Sequence, residues 1–140
     1  RAGRPSQQAS NEEDVVLPRV LVVDDDPTIC ELIESVLTLD GFVVGVASDG
    51  QDALRCICKD RPHLVVLDLM MPVMDGFTVA RKLRGDPTTR NIPIVVMSAD
   101  RQVAEKALQL GADAYLAKPF EIGELESCVR RLLLTAAAGS

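Results

Sequence analysis

The sequence predicts one α/β domain built on a parallel sheet with helices on both faces. Two observations carry that prediction. Five short, nearly uninterrupted apolar runs alternate with five segments whose apolar residues recur at helical spacing. Each interval between consecutive runs is long enough for a crossover helix, so the runs can lie parallel with right-handed connections. A third observation places the chemistry, because the runs end in aspartates, a serine and a lysine. In open sheets of this kind, ligands bind beyond the carboxyl ends of the strands.

Residues 1–17 are rich in Gly, Pro, Ser, Gln and acidic residues without periodicity, and are expected to form a flexible tail or linker. The domain is expected over 18–135, with a short tail at 136–140. RVLVVD (19–24) reads as a first strand buried on both faces. Ile29, Leu32, Ile33, Val36 and Leu37 then follow at helical spacing, and Asp40-Gly41 stops that helix. FVVGVA (42–47) is the second strand, and Ala53, Leu54 and Ile57 mark the second helix. HLVVLDL (63–69) is the third strand, after which Val79, Ala80 and Leu83 mark a helix ending near Gly85-Asp86-Pro87. IPIVVMSA (92–99) is the fourth, followed by a helix carrying Val103, Ala104, Ala107 and Leu108 and stopped by Gly111. AYLAK (114–118) is the fifth, and Ile122, Leu125, Val129, Leu132 and Leu133 line the last helix.

Composition narrows the function classes. With 47% hydrophobic residues, 140 residues suffice for one sizeable core, which Val, Leu, Ile, Ala and Met must fill because aromatics are scarce. A formal net charge of −6 argues against a nucleic-acid surface, which needs a basic stripe. Cys30, Cys56, Cys58 and Cys128 are scattered, no signal peptide is visible, and no apolar run reaches membrane-spanning length. A cytoplasmic location without membrane contact is the expectation. The start lacks a methionine, which reads as a segment of a longer protein or a processed or engineered start.

The first strand ends in Asp24-Asp25-Asp26, the third in Asp68, the fourth in Ser98 and the fifth in Lys118-Pro119. A parallel sheet brings those ends to one rim. Oxygen-rich acidic clusters suit Mg²⁺, which takes one or two carboxylates plus phosphate oxygens. A lysine and a hydroxyl beside it suit a phosphoryl group, whose charge metal and lysine would stabilise. A carboxylate is then the fitting acceptor, giving an aspartyl phosphate.

VLVVDDDP, VVLDLMMPVMDG, VVMSA and YLAKPF, in this order and at these intervals, resemble the receiver domain of two-component response regulators, including the chemotaxis response regulator. The likeness covers roughly residues 18–134. It implies a flavodoxin-like fold with strand order 2-1-3-4-5. It also implies that Asp68 takes a phosphoryl group from the phosphohistidine of a histidine kinase or a histidine phosphotransfer domain. Asp24, Asp25, Asp68 and the backbone carbonyl of Met70 would hold Mg²⁺ (or Mn²⁺), Asp24 through water. Lys118, joined to Pro119 by a cis bond, would pair with the phosphoryl oxygens. Ser98 would bond the phosphoryl group and Tyr115 would swing inward, switching the face formed by the fourth helix, fifth strand and fifth helix. That face would bind a downstream effector or an output domain of the parent chain.

Plainer roles are expected elsewhere. Asp26 reads as a helix cap before Pro27. His63 reads as a strand-edge residue, the cysteines as unpaired, and the methionines as packing. Ala114 and Cys128 replace the Asp and Arg that bridge the dimer of the winged-helix branch, and GDPTTRNIP (85–93) resembles single-domain regulators or receivers of hybrid kinases. The competing class is a Mg²⁺-dependent phosphatase or hydrolase with an aspartate nucleophile, for which Asp24 and Asp26 supply a DxD spacing. A scaffold that no longer accepts phosphate is disfavoured by the complete set of acids, Ser98 and Lys118.

Overall fold

Alternation within the apolar runs decides how the sheet is covered. Successive side chains of a strand point to opposite faces, so a run that is apolar throughout needs a helical layer on each side. The computed structural model describes residues 17–71, 74–109 and 111–138. In chain order it has β1 (Arg19–Val23), α1 (Pro27–Leu39), β2 (Val43–Ala47), α2 (Gly50–Lys59), β3 (Leu64–Asp68), α3 (Gly76–Gly85), β4 (Ile94–Ser98), α4 (Arg101–Gln109), β5 (Ala114–Ala117) and α5 (Ile122–Ala138). The strands are all parallel, in the order β2-β1-β3-β4-β5. This is the flavodoxin-like order.

Two apolar clusters result, one per face. Val20, Val22, Leu64, Val66, Val95, Met97 and Leu116 pack against α1 and α5 through residues such as Ile33, Leu37, Leu125 and Val129. Leu21, Val23, Val65, Leu67, Ile94 and Val96 pack on the other face against Ile57, Val79, Leu83 and Ala107. β3 and β4 are buried along their whole length. The outer strand departs from the expected double coverage. Val43 is 46% exposed and Val46 38% exposed, because β2 is the edge strand and has a neighbour on one side only.

Helix starts follow from local chemistry. Asp26, Asp49 and Asp75 each accept a backbone N–H from the first turn of the next helix, from Thr28, Asp52 and Thr78 respectively. Each cap contributes about 1 kcal/mol. Pro27 opens α1 where its missing N–H costs nothing, and Gly41 ends the segment at φ +99°, a conformation that favours glycine. α5 runs to Ala138, beyond the boundary expected at 135, because Thr135 is followed by three alanines, the strongest helix formers. The expected tail at 1–17 lies outside the described residues except for Leu17. His63 takes the strand-edge role, its Nδ1 accepting the Arg19 N–H at 2.9 Å where β1 begins. Among the described residues, the four cysteines are free, and no helix is long and apolar enough to cross a membrane.

Arg84 ties together segments that bear no sequence relation to one another. From the end of α3 its guanidinium donates to the carbonyls of Gly111, Arg90 and Ile92 and to Asp113 Oδ2 at 2.8 Å. The same Asp113 oxygen accepts the Ile94 N–H at 2.8 Å, closing the lower end of β4. Removing Arg84 strands several acceptors at once, and Arg84→Ala is expected to lower stability by about 2–3 kcal/mol. Urea unfolding followed by far-UV circular dichroism checks this; a loss below about 0.5 kcal/mol, the scale of an ordinary surface substitution, would make the guanidinium network dispensable.

Candidate functional site

The strand order places the ends of β1 and β3 side by side, with β4 and β5 following. Asp24 continues the side-chain alternation of Val20 and Val22, Asp68 that of Leu64 and Val66, and Lys118 that of Leu116. All three therefore belong on the α1/α5 side of the rim. Ser98 and Tyr115 have the opposite parity, that of Val96, and belong on the side of α4.

The rim gathers its charges closely. Asp24, Asp25 and Asp68 each offer a carboxylate oxygen within 4.8 Å of the others. Asp24 is 1% and Asp68 4% exposed, while Asp25 faces solvent. Asp26, by contrast, lies outside this cluster and caps α1. The DxD spacing thus does not bring Asp24 and Asp26 to one site.

Two buried carboxylates this close need compensation. Asp24 obtains it from two directions: its Oδ1 accepts the Asp26 N–H at 2.9 Å and its Oδ2 accepts from Lys118 Nζ at 2.9 Å, while its backbone N–H, donating to Ala47 O, fixes the main chain. Asp68 has less. Its Oδ1 accepts the Met70 N–H at 3.2 Å, and Lys118 Nζ stands 3.7 Å away. Burial, followed by the charges of Asp24 and Asp25, overcomes the Met70 N–H and Lys118 and pushes the Asp68 pKa up to about 6. Burial pulls the Lys118 pKa down, yet its bond to Asp24 and the charges of Asp24, Asp68 and Asp25 hold it above the ordinary lysine value.

Backbone bonds fix the remaining groups. Ser98 ends β4 at 1% exposure, one residue past the Met97 that pairs with Asp68. The Lys118 N–H donates to Ser98 O at 2.9 Å, and the Lys118–Pro119 bond is cis. Tyr115 is partly buried against the cluster on the α4 side. Met70 is exposed at the start of the loop after β3. The structure therefore brings together Asp24, Asp25, Asp68 and Lys118, with Ser98 on the next strand end and Tyr115 three residues earlier on β5.

Three bonds were not read from the sequence. Lys118 bonds Asp24 more closely than Asp68, the Cys30 thiol donates to the Asp24 carbonyl at 3.2 Å, and Ser98 Oγ accepts the Asp100 N–H at 3.0 Å. Asp100 also caps α4, accepting from Gln102 and Val103. Of these, only the aspartate before a helix carried a readable signal. The oxygen-only donor set of Asp24, Asp25 and Asp68 suits a hard divalent cation.

Residues 20–130 match the family described as response regulator receiver domain. Over 119 residues the chain is 41% identical to the DNA-binding dual master transcriptional regulator RpaA of Synechocystis, covering 84% of this chain and 49% of that protein. It is 46% identical over 117 residues to the response regulator MprA of Mycolicibacterium vanbaalenii, covering 82% of this chain and 50% of that protein. The chain spans about half the length of the curated relatives it matches. Among solved structures it resembles the receiver domain of the Francisella response regulator 1452, with a TM-score of 0.78 and 36% identity, covering 84% of this chain and 98% of that one.

The raised Asp68 pKa has a direct consequence for the cation-free protein. Between about pH 4 and 6 the folded state holds a proton that the unfolded state has released, so this group's contribution is most favourable below pH 4 and is lost as pH rises through 6. Asp68→Asn removes the buried charge and is expected to stabilise the protein by on the order of 1–3 kcal/mol above pH 6, with no difference near pH 4. Urea titrations in chelator at pH 4, 5, 6 and 7.5 measure it, and a gain independent of pH would refute the assignment.

Proposed function

Since the chain belongs to the response regulator receiver domain family, we propose that it accepts a phosphoryl group on Asp68 and passes the signal to the face formed by α4, β5 and α5. The carrying observation is the meeting of Asp24, Asp25 and Asp68 within 4.8 Å, with Lys118 reaching into them. The domain is a signalling module rather than a turnover enzyme.

Asp68 is the nucleophile. One carboxylate oxygen attacks phosphorus of a phosphohistidine, the N–P bond breaks, and the imidazole leaves with the electron pair, giving an aspartyl phosphate. Asp25, Asp68 and the Met70 carbonyl, with Asp24 through water, would hold Mg²⁺, which would supply positive charge for the phosphoryl oxygens. Lys118 presents its ammonium to the same group, turning from Asp24 toward the incoming oxygens. Ser98 donates its hydroxyl to the phosphoryl group, exchanging its bond with the Asp100 N–H. That movement opens space for Tyr115 beside β4, and the Tyr115 ring then reshapes the α4 side.

The phosphoryl donor is a histidine kinase or histidine phosphotransfer domain, met at the open rim. The relatives support an output domain in a longer parent chain, since their names describe transcriptional regulators and this chain covers about half of each. The departures at Ala114 and Cys128 then mean that any dimer of this chain lacks two of the bridging charges expected in that branch. The site is cytoplasmic, where such kinases deliver their phosphoryl groups, and the domain itself contacts neither nucleic acid nor membrane.

Incubation with ³²P-acetyl phosphate and Mg²⁺ is expected to label the wild-type chain at one site, with label lost on chelation beforehand. Asp68→Ala and Asp68→Asn are expected to abolish labelling, and Lys118→Ala to reduce it at least 100-fold. Equal labelling of the Asp68 variants would sink the proposal, and rapid turnover of a generic phosphomonoester would favour the hydrolase reading.

A further inference from the structure

Two glycines among the described residues stand where a Cβ has no room. Gly50 lies against Met74, where a Cβ would fall 2.6 Å from Met74 O. Gly76, the buried first residue of α3, lies against the end of β3 itself. A Cβ there would fall 2.4 Å from Asp68 O, 2.8 Å from Leu69 Cα and 3.0 Å from Leu69 Cδ2. This second contact runs directly through space, from the start of a helix to the main chain of Asp68.

Backbone conformation does not call for glycine at position 76. The positive-φ glycines among the described residues are Gly41 and Gly111, and Asp75 already caps α3 by accepting the Thr78 N–H. What calls for it are two main-chain atoms, Asp68 O and Leu69 Cα, which no rotamer change can move. A methyl group would have to open the gap to Asp68 O by about 1 Å to reach ordinary contact. α3 is poorly placed to give way. Val79, Ala80 and Leu83 bury its inner face, and Arg84 near its end is bonded to the carbonyls of Gly111, Arg90 and Ile92 and to Asp113.

The segment that would be displaced instead carries the carboxylate of Asp68. The Leu69 N–H donates to Met97 O at 3.1 Å, and Leu69 O accepts the Gly76 N–H at 3.3 Å. Gly76 thus holds this segment by both Asp68 O and Leu69 O. The Met70 N–H donates to Asp68 Oδ1 at 3.2 Å, a bond at the long end of the normal range, so it breaks first when the segment turns.

We propose that Gly76 is a positioning residue for phosphoryl transfer. The side-chain-free start of α3 is the stop against which the Asp68 main chain rests, and it sets the direction in which the carboxylate meets phosphorus. The proposal rests on the reading of Asp68 as the phosphoacceptor. Gly76 brings no side chain to the reaction and acts through Asp68 and the Met70 N–H.

The test is labelling by acetyl phosphate at saturating Mg²⁺, on the full chain. Gly76→Ala is expected to lower the maximal labelling rate about 10- to 100-fold, the cost of a misplaced reacting group. The acetyl phosphate concentration for half-maximal rate should stay within about twofold of wild type. In the cation-free protein the Met70 amide proton resonance should move upfield as its bond to Asp68 lengthens. Val79→Ala opens a cavity on the same helix and should leave the rate within about twofold of wild type and that resonance in place. Should Gly76→Ala fail to fold, Asp75→Ala removes the cap beside Gly76 and should slow labelling about two- to threefold with the same movement of the Met70 resonance. Asp75→Asn, which keeps the cap, should restore both. A wild-type rate and an unmoved Met70 resonance in Gly76→Ala, or in Asp75→Ala where only that variant folds, would overturn the proposal. An equal loss of rate in Val79→Ala would make the effect one of stability and overturn it as well. A wild-type chain that takes no label, with Asp68→Asn indistinguishable from it, would overturn the phosphoacceptor reading and this proposal with it.

Discussion

Two carboxylates buried at the ends of adjacent strands, with one ammonium between them, form the constraint around which the rest of the domain is arranged. Asp24 and Asp68 are nearly solvent-free, and a charge in that setting is tolerable only with partners in hand. Those partners come from far along the chain. The ammonium is that of Lys118, 94 residues after Asp24, and it reaches the acids because β5 lies on the β3–β4 side of the sheet, where the winding direction has reversed. Had the strands been laid in sequence order, β2 would separate β1 from β3 and the two acids would not meet.

Compensation is unequal. Asp24 has a backbone donor and the close lysine contact, whereas Asp68 has one longer backbone bond and a lysine almost 4 Å away. The oxygens of Asp68 are thus less occupied by donors than those of Asp24, which bears the structural share of the charge. Burial, with the charges of Asp24 and Asp25, raises the proton affinity of Asp68 against what its one backbone donor and Lys118 supply.

Much of this was readable in the chain itself, for physical reasons that can be named. Apolar runs of five residues separated by helical periods can close a core only as a parallel sheet, and three aspartates ahead of helices act as caps whatever lies around them. Within DDDP, the residue before Pro27 reads as a cap and proves to be one. What escaped depends on neighbours far apart in sequence. The exposure of β2 follows from strand order, not from FVVGVA, whose composition is that of an inner strand. The acceptors gathered by Arg84 are backbone carbonyls, which leave no mark in a sequence. The close approach of Met74 to Gly50 likewise joins residues far apart in sequence.

The lysine contact with Asp24 also bears on how the protein comes into being. A pocket lined by carboxylates alone would push its own walls apart until an ion arrived, and a newly made chain would have to wait for that ion before closing its sheet. Lys118 follows the last strand in the chain, so the chain carries its own counter-charge and can complete its core before it encounters any metal. Assembly and ion supply are thereby separate events in the life of the molecule.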